Sequence, residues 1–480
     1  MANVNYNRKE LKEAKKRYDV IRDCLAGEIA VKARGSVYLP IPNATDVSEE
    51  NTQRYAAYKT RATFYNVTKR TLDGLCGQIF VREPVVEVPE RMKVVVGDAD
   101  GGGVNLTQLA KEAVQYALGY GRAGLFVDYP ETTEPATLAQ LEAGDIRPTL
   151  TLYEPWNILN WRTVVRGARE LLSLVVLAET YIESDDGFEA VEKKQWRVLR
   201  LINNTYVVEI WRQESTGNLR PFSSAIPVDA SGSPLSEIPF TFIGARNNDN
   251  TVDEAPMYDI AALNIAHYRN SADYEESAFM VGQPTPVFSG LTEDWVKNVL
   301  KNKVLLGARG AISLPVGGAA TLLQANPNTM PFEAMQHKEK QMVALGARLV
   351  EQKSVVRTAS EANIDQATES SVLASTAKNV SSALSWGLVW AARFFGVDSS
   401  TIKFELNTDF DIATMSPEDR RQLIEEWQTG AISWQELRTN LRKSGIATMD
   451  DKEARSRIDE ELASLPMTRA AGEGSGGNQI

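Results

Sequence analysis

Between residues 148 and 245 the chain alternates apolar and polar residues with a period of two. PTLTLYEPWNILNWRTV, LLSLVVLAETYIE, QWRVLRLI and TYVVEIWRQ are rich in β-branched and aromatic residues, and SDDG and STGN punctuate them. Successive side chains on a strand point to opposite faces, a pattern no helix can use. This block therefore reads as a mostly antiparallel sheet. On either side the period becomes helical. Asn7 to Ala30 reads as a charged helix, and Ser48 to Leu75 as one long helix carrying Tyr55, Tyr58, Ala62, Tyr65 and Leu72. GQIFVREPVVEVP alternates like a strand with Pro breaks. Asn105 to Leu118 places Leu106, Leu109, Ala110, Ala113, Val114 and Ala117 on one helical stripe, and RAGLFVDYP follows as a buried strand.

Downstream, Ala255 to Met280 is helical in pattern. A compact segment follows: QPTPVFSG as strand, EDWVKNVLKN as helix, KVLLGARGAISLP and AATLLQA as strands. Pro331 to Lys353 and Thr368 to Phe395 read as helices, with SVVRTASEANIDQA between them. After the short strand TIKFEL the end is all helical. Ser416-Pro417-Glu418-Asp419 combines an N-cap, an early proline and early acids. Ser433-Trp434-Gln435-Glu436 fits a capping box, and Gly445 suits a helix C-cap. MTRAAGEGSGGNQI reads as a flexible tail.

Composition enters here as an exclusion. Of 480 residues, two are cysteine, Cys24 and Cys76, and two are histidine, His267 and His337. That excludes a disulfide scaffold and a multi-cysteine zinc site, and leaves little material for a serine-type triad. The most apolar candidate span, Ala383 to Val397, is short and carries Arg393, so no membrane partner is expected. The polar start MANVNYNRKELKEAKKRYD is unlike a signal peptide. The expectation is a soluble intracellular protein without an obvious catalytic set or cofactor.

The chemical motifs are weak. Gly119-Tyr120-Gly121-Arg122-Ala123-Gly124 spells G-x-G-x-x-G, but its order is helix, glycines, strand. Dinucleotide binding needs the reverse, with a helix N-terminus aimed at the pyrophosphate. A helix-to-strand turn is the better reading. Asp98 and Asp100 before glycines resemble a calcium loop, yet the ligand spacing fails. His267 reads as a hydrogen-bonded helix-face residue and His337 as a solvated one. The acid pairs Asp273/Glu276 and Glu425/Glu426 read as solvated helix faces.

Charge patterning is more informative. Asp253, Glu254, Asp259, Asp273, Glu275 and Glu276 make the segment from Asp253 to Met280 acidic. Lys338, Lys340, Arg348, Lys353 and Arg357 make the segment from Pro331 to Arg357 basic. Two accounts stay open: the helices pair with each other, or the basic one faces a polyanion. The helix from Thr368 to Phe395 also has two readings. Its stripe of Leu373, Ala377, Val380, Leu384, Leu388 and Ala391 fits a buried core helix. Its slim flanks of Ala374, Ser375, Ser381, Ser382, Ala383 and Ser385 also fit identical helices crowding a shared axis.

The order of these elements resembles the portal (head-to-tail connector) proteins of tailed bacteriophages, over nearly the whole chain. The residues that carry the resemblance are YAAYKTRATFYNVTKRTLDGLCGQIF, GYGRAGLFVDYP, IPFTFIG, DIAALNIAHYRNSADYEESAF with GQPTPVFSG, EKQMVALGARLVEQ with RTASEA, and GAISWQELRTNLRKSG. The resemblance implies an α+β multidomain portal-type fold: an α/β wing, a two-helix stem, a small α/β clip, a long kinked helix and an all-helical crown. The implied boundaries are wing 1–254, first stem helix 255–280, clip 281–329, second stem helix 330–353, channel loop 354–366, long helix and return strand to the wing 367–415, crown 416–465 and tail 466–480.

It also implies a homo-oligomeric ring of about twelve subunits at one capsid vertex of the virion, assembled in the host cytoplasm. The ring would conduct double-stranded DNA without reading its sequence. Its partners would be the terminase large subunit, then head-completion adaptor and tail proteins, with the major capsid protein and scaffold around it. No catalytic, cofactor or metal residue is implied. Lys338, Lys340, Arg348, Lys353 and Arg357 become the DNA-channel candidates. Glu293, Asp294, Trp295, Lys297, Lys301 and Lys303 become the clip residues that dock the motor. The charge balance agrees: 52 Lys+Arg against 63 Asp+Glu gives −11 per copy, so a ring repels a polyanion overall while local basic sites guide it. The alternatives are another phage structural or adaptor oligomer, and a cytoplasmic nucleotide-binding enzyme using the turn at Gly119.

Overall fold

The computed structural model describes residues 3–130, 146–214, 216–282, 285–299, 314–323, 329–350, 371–408, 410, 417–443, 447, 449 and 451–464. It is a mixed α+β chain in two compact units, Met1–Thr408 and Asp409–Ile480.

The first unit opens with α1 (Lys9–Ala26), which buries Leu11, Ala14, Tyr18, Ile21 and Cys24 at helical spacing. The short α2 (Glu28–Ala33) follows. The single helix expected over Ser48 to Leu75 is in fact two, α3 (Glu49–Arg61) and α4 (Val67–Ile79). Asn66 starts α4 as its N-cap, its side chain accepting from the Lys69 amide at 3.0 Å. α4 then runs through much of GQIF, so the expected strand shrinks to β1 (Val85–Glu87). After α5 (Lys93–Gly97) comes α6 (Leu106–Tyr120), whose expected apolar stripe is buried throughout. Gly121, at φ 76°, ends α6 and turns the chain into β2 (Arg122–Asp128). A Cβ there would come 2.5 Å from the Glu254 carbonyl, which explains the glycine without any phosphate.

The strand-rich block forms β3 (Thr149–Tyr153), β4 (Ile158–Arg166), β5 (Arg169–Asp185), β6 (Ala190–Ile202), β7 (Thr205–Gln213), β8 (Leu219–Ala225) and β9 (Phe240–Gly244). All its pairings are antiparallel. β4 to β8 make a five-stranded meander, and β3-β2-β9 a three-stranded sheet.

Next come α7 (Tyr258–Gly282), a hairpin of β10 (Thr285–Ser289) with β11 (Ala319–Leu323), and α8 (Met330–Arg348). α9 (Val372–Phe395) runs unbroken for 24 residues and is a core helix of this chain. Leu373, Ala377, Val380, Leu384, Leu388 and Ala391 are all fully buried. At Gly387 an added Cβ would lie 3.0 Å from Leu125 and 3.2 Å from Leu150, so α9 packs tightly on β2 and β3. The slim serines are used within the chain: Ser385 Oγ accepts from the Phe404 amide at 3.0 Å, and Ser381 Oγ from the Leu406 amide at 3.0 Å. Those bonds seat β12 (Lys403–Glu405), which pairs antiparallel with β1. Ser381 and Ser385 are thus used inside the subunit, while Ser382 is exposed.

The second unit holds α10 (Pro417–Gln428), α11 (Trp434–Lys443) and α12 (Asp451–Ser464). The capping box forms: the Ser433 amide donates to Glu436 at 2.7 Å and the Glu436 amide to Ser433 Oγ at 3.2 Å. Ser416, Gly445 and the expected tail from 466 lie outside the described residues.

Candidate functional site: a helical hairpin held by buried amides

α7 is the element on which the site is built. One side of it clamps the α3–α4 junction. Asn264, fully buried, accepts from the Val67 and Thr68 amides at 3.1 Å each and from Thr68 Oγ1 at 3.0 Å. Its Nδ2 donates to the Tyr65 carbonyl at 2.8 Å. The two amides open α4, where a helix has no acceptor of its own. Ser271 Oγ accepts from the Thr63 amide at 3.1 Å and donates to the Thr63 carbonyl at 2.7 Å. Arg269 Nε donates to the Tyr38 carbonyl at 2.7 Å.

The other side of α7 meets α8. His267 faces Glu339 at 3.2 Å, Lys338 Nζ donates to Asn270, and the rings of Tyr274 and Phe332 lie 5.8 Å apart. The partners descend along α8 as they ascend along α7, so the pair is antiparallel. The base of this hairpin is fixed near Thr71, which approaches Gly346, and by a bond of 3.2 Å from the Leu373 amide to the Leu349 carbonyl. The β10–β11 hairpin sits at the opposite end, between Gly282 and Met330.

The two helices do pair with each other, as one of the two accounts expected, but among the described residues no carboxylate of α7 forms an ion pair with a lysine or arginine of α8. The acids of α7 turn to α3: Tyr58 OH donates to Asp273 at 2.6 Å, Arg61 pairs with Glu276, and Arg54 lies 4.0 Å from it. Asp273, which stays exposed as expected, and the half-buried Glu276 thus also tie α7 to α3. His267 is 2% exposed, buried in the hairpin and not simply on a helix face. His337 is exposed, beside Gln341.

The basic candidates divide. Lys338 is half-buried and turned to α7, whereas Lys340 and Arg348 are exposed without an ion-pair partner among the described residues. At about 100° per residue, Lys340 and Arg348 are separated by about 80° around the helix and Lys338 stands apart from Lys340 by about 160°. No single stripe holds all three. Lys353, Arg357 and the loop 354–366 lie outside the described residues. Among the clip candidates, Glu293 and Lys297 form an exposed ion pair at 2.5 Å, Asp294 is exposed and Trp295 is half-buried. Of the helix expected over 293–302, residues 293–299 are helical, with a π turn at Trp295–Val299, and residues 300–302, with Lys303, lie outside the described residues.

Elsewhere, the Asp98 loop closes on protein groups. Asp98 Oδ1 accepts the Gly101 and Gly103 amides at 2.9 and 3.0 Å, and Arg147 Nη2 meets Oδ2 at 2.5 Å. Among the described residues no three His, Cys, Asp or Glu side chains converge on one point. Burial pushes both thiols, Cys24 and Cys76, up to about 12. No described helix is long and apolar enough to cross a membrane.

Two features escape sequence reasoning. Asn264 sits in an ordinary helical pattern, and nothing local marks it as a cap for a helix far upstream. Arg122, 2% exposed, opens a buried strand with its guanidinium 4.4 Å from the Trp161 ring centre and 3.9 Å from Phe242. It donates to the Thr251 carbonyl, and burial lowers its pKa to about 10. A charged residue at the start of an apolar strand was the available signal.

Comparison with known proteins gives limited matches. A family model described as a domain of unknown function (DUF4055) matches residues 256–395. No curated protein matches the chain. Among solved structures, a chain from the neck of an empty GTA particle computed with C6 symmetry is 15% identical, with a TM-score of 0.39, covering 82% of this chain and 90% of that one. A chain from the neck of a native GTA particle computed with C12 symmetry is also 15% identical at a TM-score of 0.39, covering 78% and 88%. The family match spans α7, the β10–β11 hairpin, α8 and α9, and leaves both larger sheets outside it.

Proposed function

We propose that this chain is a portal-type subunit: a structural, non-enzymatic protein that closes into a ring at one capsid vertex and lets double-stranded DNA pass in and out. The observation that carries the reading is the antiparallel α7–α8 hairpin, anchored at its base on α3 and α4 and bearing a small β hairpin at its far end. In the resemblance this is a stem with a clip. Rigid anchoring suits a wall that must not deform as a stiff polymer moves past it. The reading makes the β10–β11 end the docking site for a terminase motor and later for adaptor and tail proteins. Capsid protein and scaffold would surround the wing.

Duplex DNA carries about one charge per 1.7 Å, so every cation held on the channel wall adds sequence-independent affinity. A conduit needs few of them. Lys340 and Arg348 are the cations of α8 that are exposed and in no ion pair among the described residues, and they are the pair assigned to the duplex. Lys338 is given a structural role on Asn270.

The test is in two parts. Negative-stain images of purified full-length chain should show a ring with an axial hole; a monomer at every concentration, or a plugged disc, overturns the reading. In the assembling system, K340E with R348E should leave rings intact and lower packaged or retained DNA. Unchanged DNA content removes those two side chains from the channel wall. Deleting Glu293 to Asn302 should preserve rings and abolish motor docking.

A further inference from the structure

The β5–β6 ribbon outruns its own sheet. β4 pairs with β5 only as far as Leu177, and β7 reaches β6 only as far as Gln195. Beyond that, β5 and β6 continue through Thr180↔Lys194 to Asp185↔Ala190, with no strand on either outer edge among the described residues. A lone two-stranded ribbon is marginally stable in water, and free edges invite pairing. This one also exposes Ile182 and Val191.

Its tip is a built knob. Gly187 takes φ 89°, Asp185 Oδ1 accepts the Gly187 amide at 2.7 Å, and Asp186 Oδ1 accepts the Phe188 and Glu189 amides at 2.8 and 2.7 Å. The turn thereby holds Phe188 completely exposed, at 103%. Asp185, Asp186 and Glu189 surround it with no cation on any of them among the described residues.

A socket of matching chemistry lies at the root of the same ribbon. A cleft of about 740 Å³ is lined by Trp156 and Trp196, by Lys15, Arg22 and Lys194, and by Tyr18. The carboxylates of the cleft are already engaged: Asp19 by Arg22 at 2.5 Å, Glu154 by Tyr116 and Asn157 at 3.1 and 2.9 Å, Glu179 by Arg197 at 2.7 Å. Lys15 meets only the amide oxygen of Asn7, at 2.7 Å, and Lys194 has no ion-pair partner among the described residues. The cleft therefore offers two tryptophans and two lysines held in no ion pair among the described residues.

The knob cannot fill the socket of its own chain. Five rungs at about 3.3 Å each put the tip about 17 Å from Thr180 and Lys194 along a straight ribbon. A knob and a socket at opposite ends of one element form a head-to-tail contact, the kind that closes rings. We propose that Phe188, flanked by Asp185, Asp186 and Glu189, docks in the Trp156–Trp196 cleft of a neighbouring copy of this chain. The proposal rests on the ring reading above and names the contact that locks adjacent wings.

The test uses the full-length chain. Thr180→Cys lies in the cleft lining and Glu189→Cys at the tip, too far apart within one copy for a disulfide. Oxidation of the double variant should give a ladder of covalent multimers on non-reducing gels, over a low background because Cys24 and Cys76 are buried. E189K, which leaves the turn-building Asp185 and Asp186 in place, and separately K194E, should each raise the protein concentration for half-assembly by about tenfold. Combining the two should restore assembly. F188S, a change at a fully exposed side chain, should weaken assembly without altering the far-UV spectrum of the monomer. Wild-type rings with no ladder and no effect of these variants would overturn the contact and leave the ring reading standing. A wild-type chain that neither assembles nor cross-links overturns both.

Discussion

Asn264→Leu removes the clamp between α7 and the α3–α4 junction while nearly conserving volume. Four contacts disappear, but they do not weigh equally. The Val67 amide also reaches the Tyr65 carbonyl at 2.9 Å, so both of those groups keep a partner. The Thr68 amide has no such fallback, and its hydroxyl loses an acceptor at 3.0 Å. A buried donor left dry costs about 1–3 kcal/mol, so Thr68 alone sets an expected loss of about 2–4 kcal/mol. Urea unfolding of the full-length chain should report it, at one fixed protein concentration because assembly itself shifts stability. Thr68→Val should lose less, and the double variant should cost about 1 kcal/mol less than the sum of the singles, because they share one network. Hydrogen exchange should place the new opening at residues 67–69. If Asn264→Leu unfolds within about 0.5 kcal/mol of wild type, or leaves those amides fully protected, the clamp does not act as argued.

Four further outcomes are expected. Gly121→Ala should lower stability by about 2 kcal/mol or more in thermal unfolding, from its positive φ and the Glu254 carbonyl at 2.5 Å. Gly77→Ala, in α4 with nothing within 4 Å, should instead stabilise by about 0.5–1 kcal/mol. Cys24 and Cys76 should resist a thiol reagent at pH 8 in the folded chain and both react in urea. Their folded values near 12 lie above the free-thiol value of 9.0, so their contribution is complete below pH 9 and is lost as pH rises towards 12. Ser433→Ala should cost about 1 kcal/mol of α11 stability, read as faster exchange of its first-turn amides.

What could be read directly from the residues was local. The stripe from Leu106 to Ala117 is buried as its spacing demands, because helical geometry alone decides which positions share a face. The alternation over 148–245 becomes antiparallel strands for the same reason. The Ser433–Glu436 cap closes within three residues. Where partners came from far along the chain, spacing was silent. The tyrosine pattern over Ser48 to Leu75 runs on without a break, yet the helix stops because Asn264 and Ser271, about two hundred residues later, supply the acceptors and donors that an interrupted backbone needs. The serines of α9 are slim in any context, and only the fold puts β12 against them. The acids of α7 could have met any base, and the packing gave them Tyr58 and Arg61. A periodic sequence states which face of an element is buried, while the identity of what covers that face depends on contacts between distant segments, and these exist only once the whole chain has closed on itself.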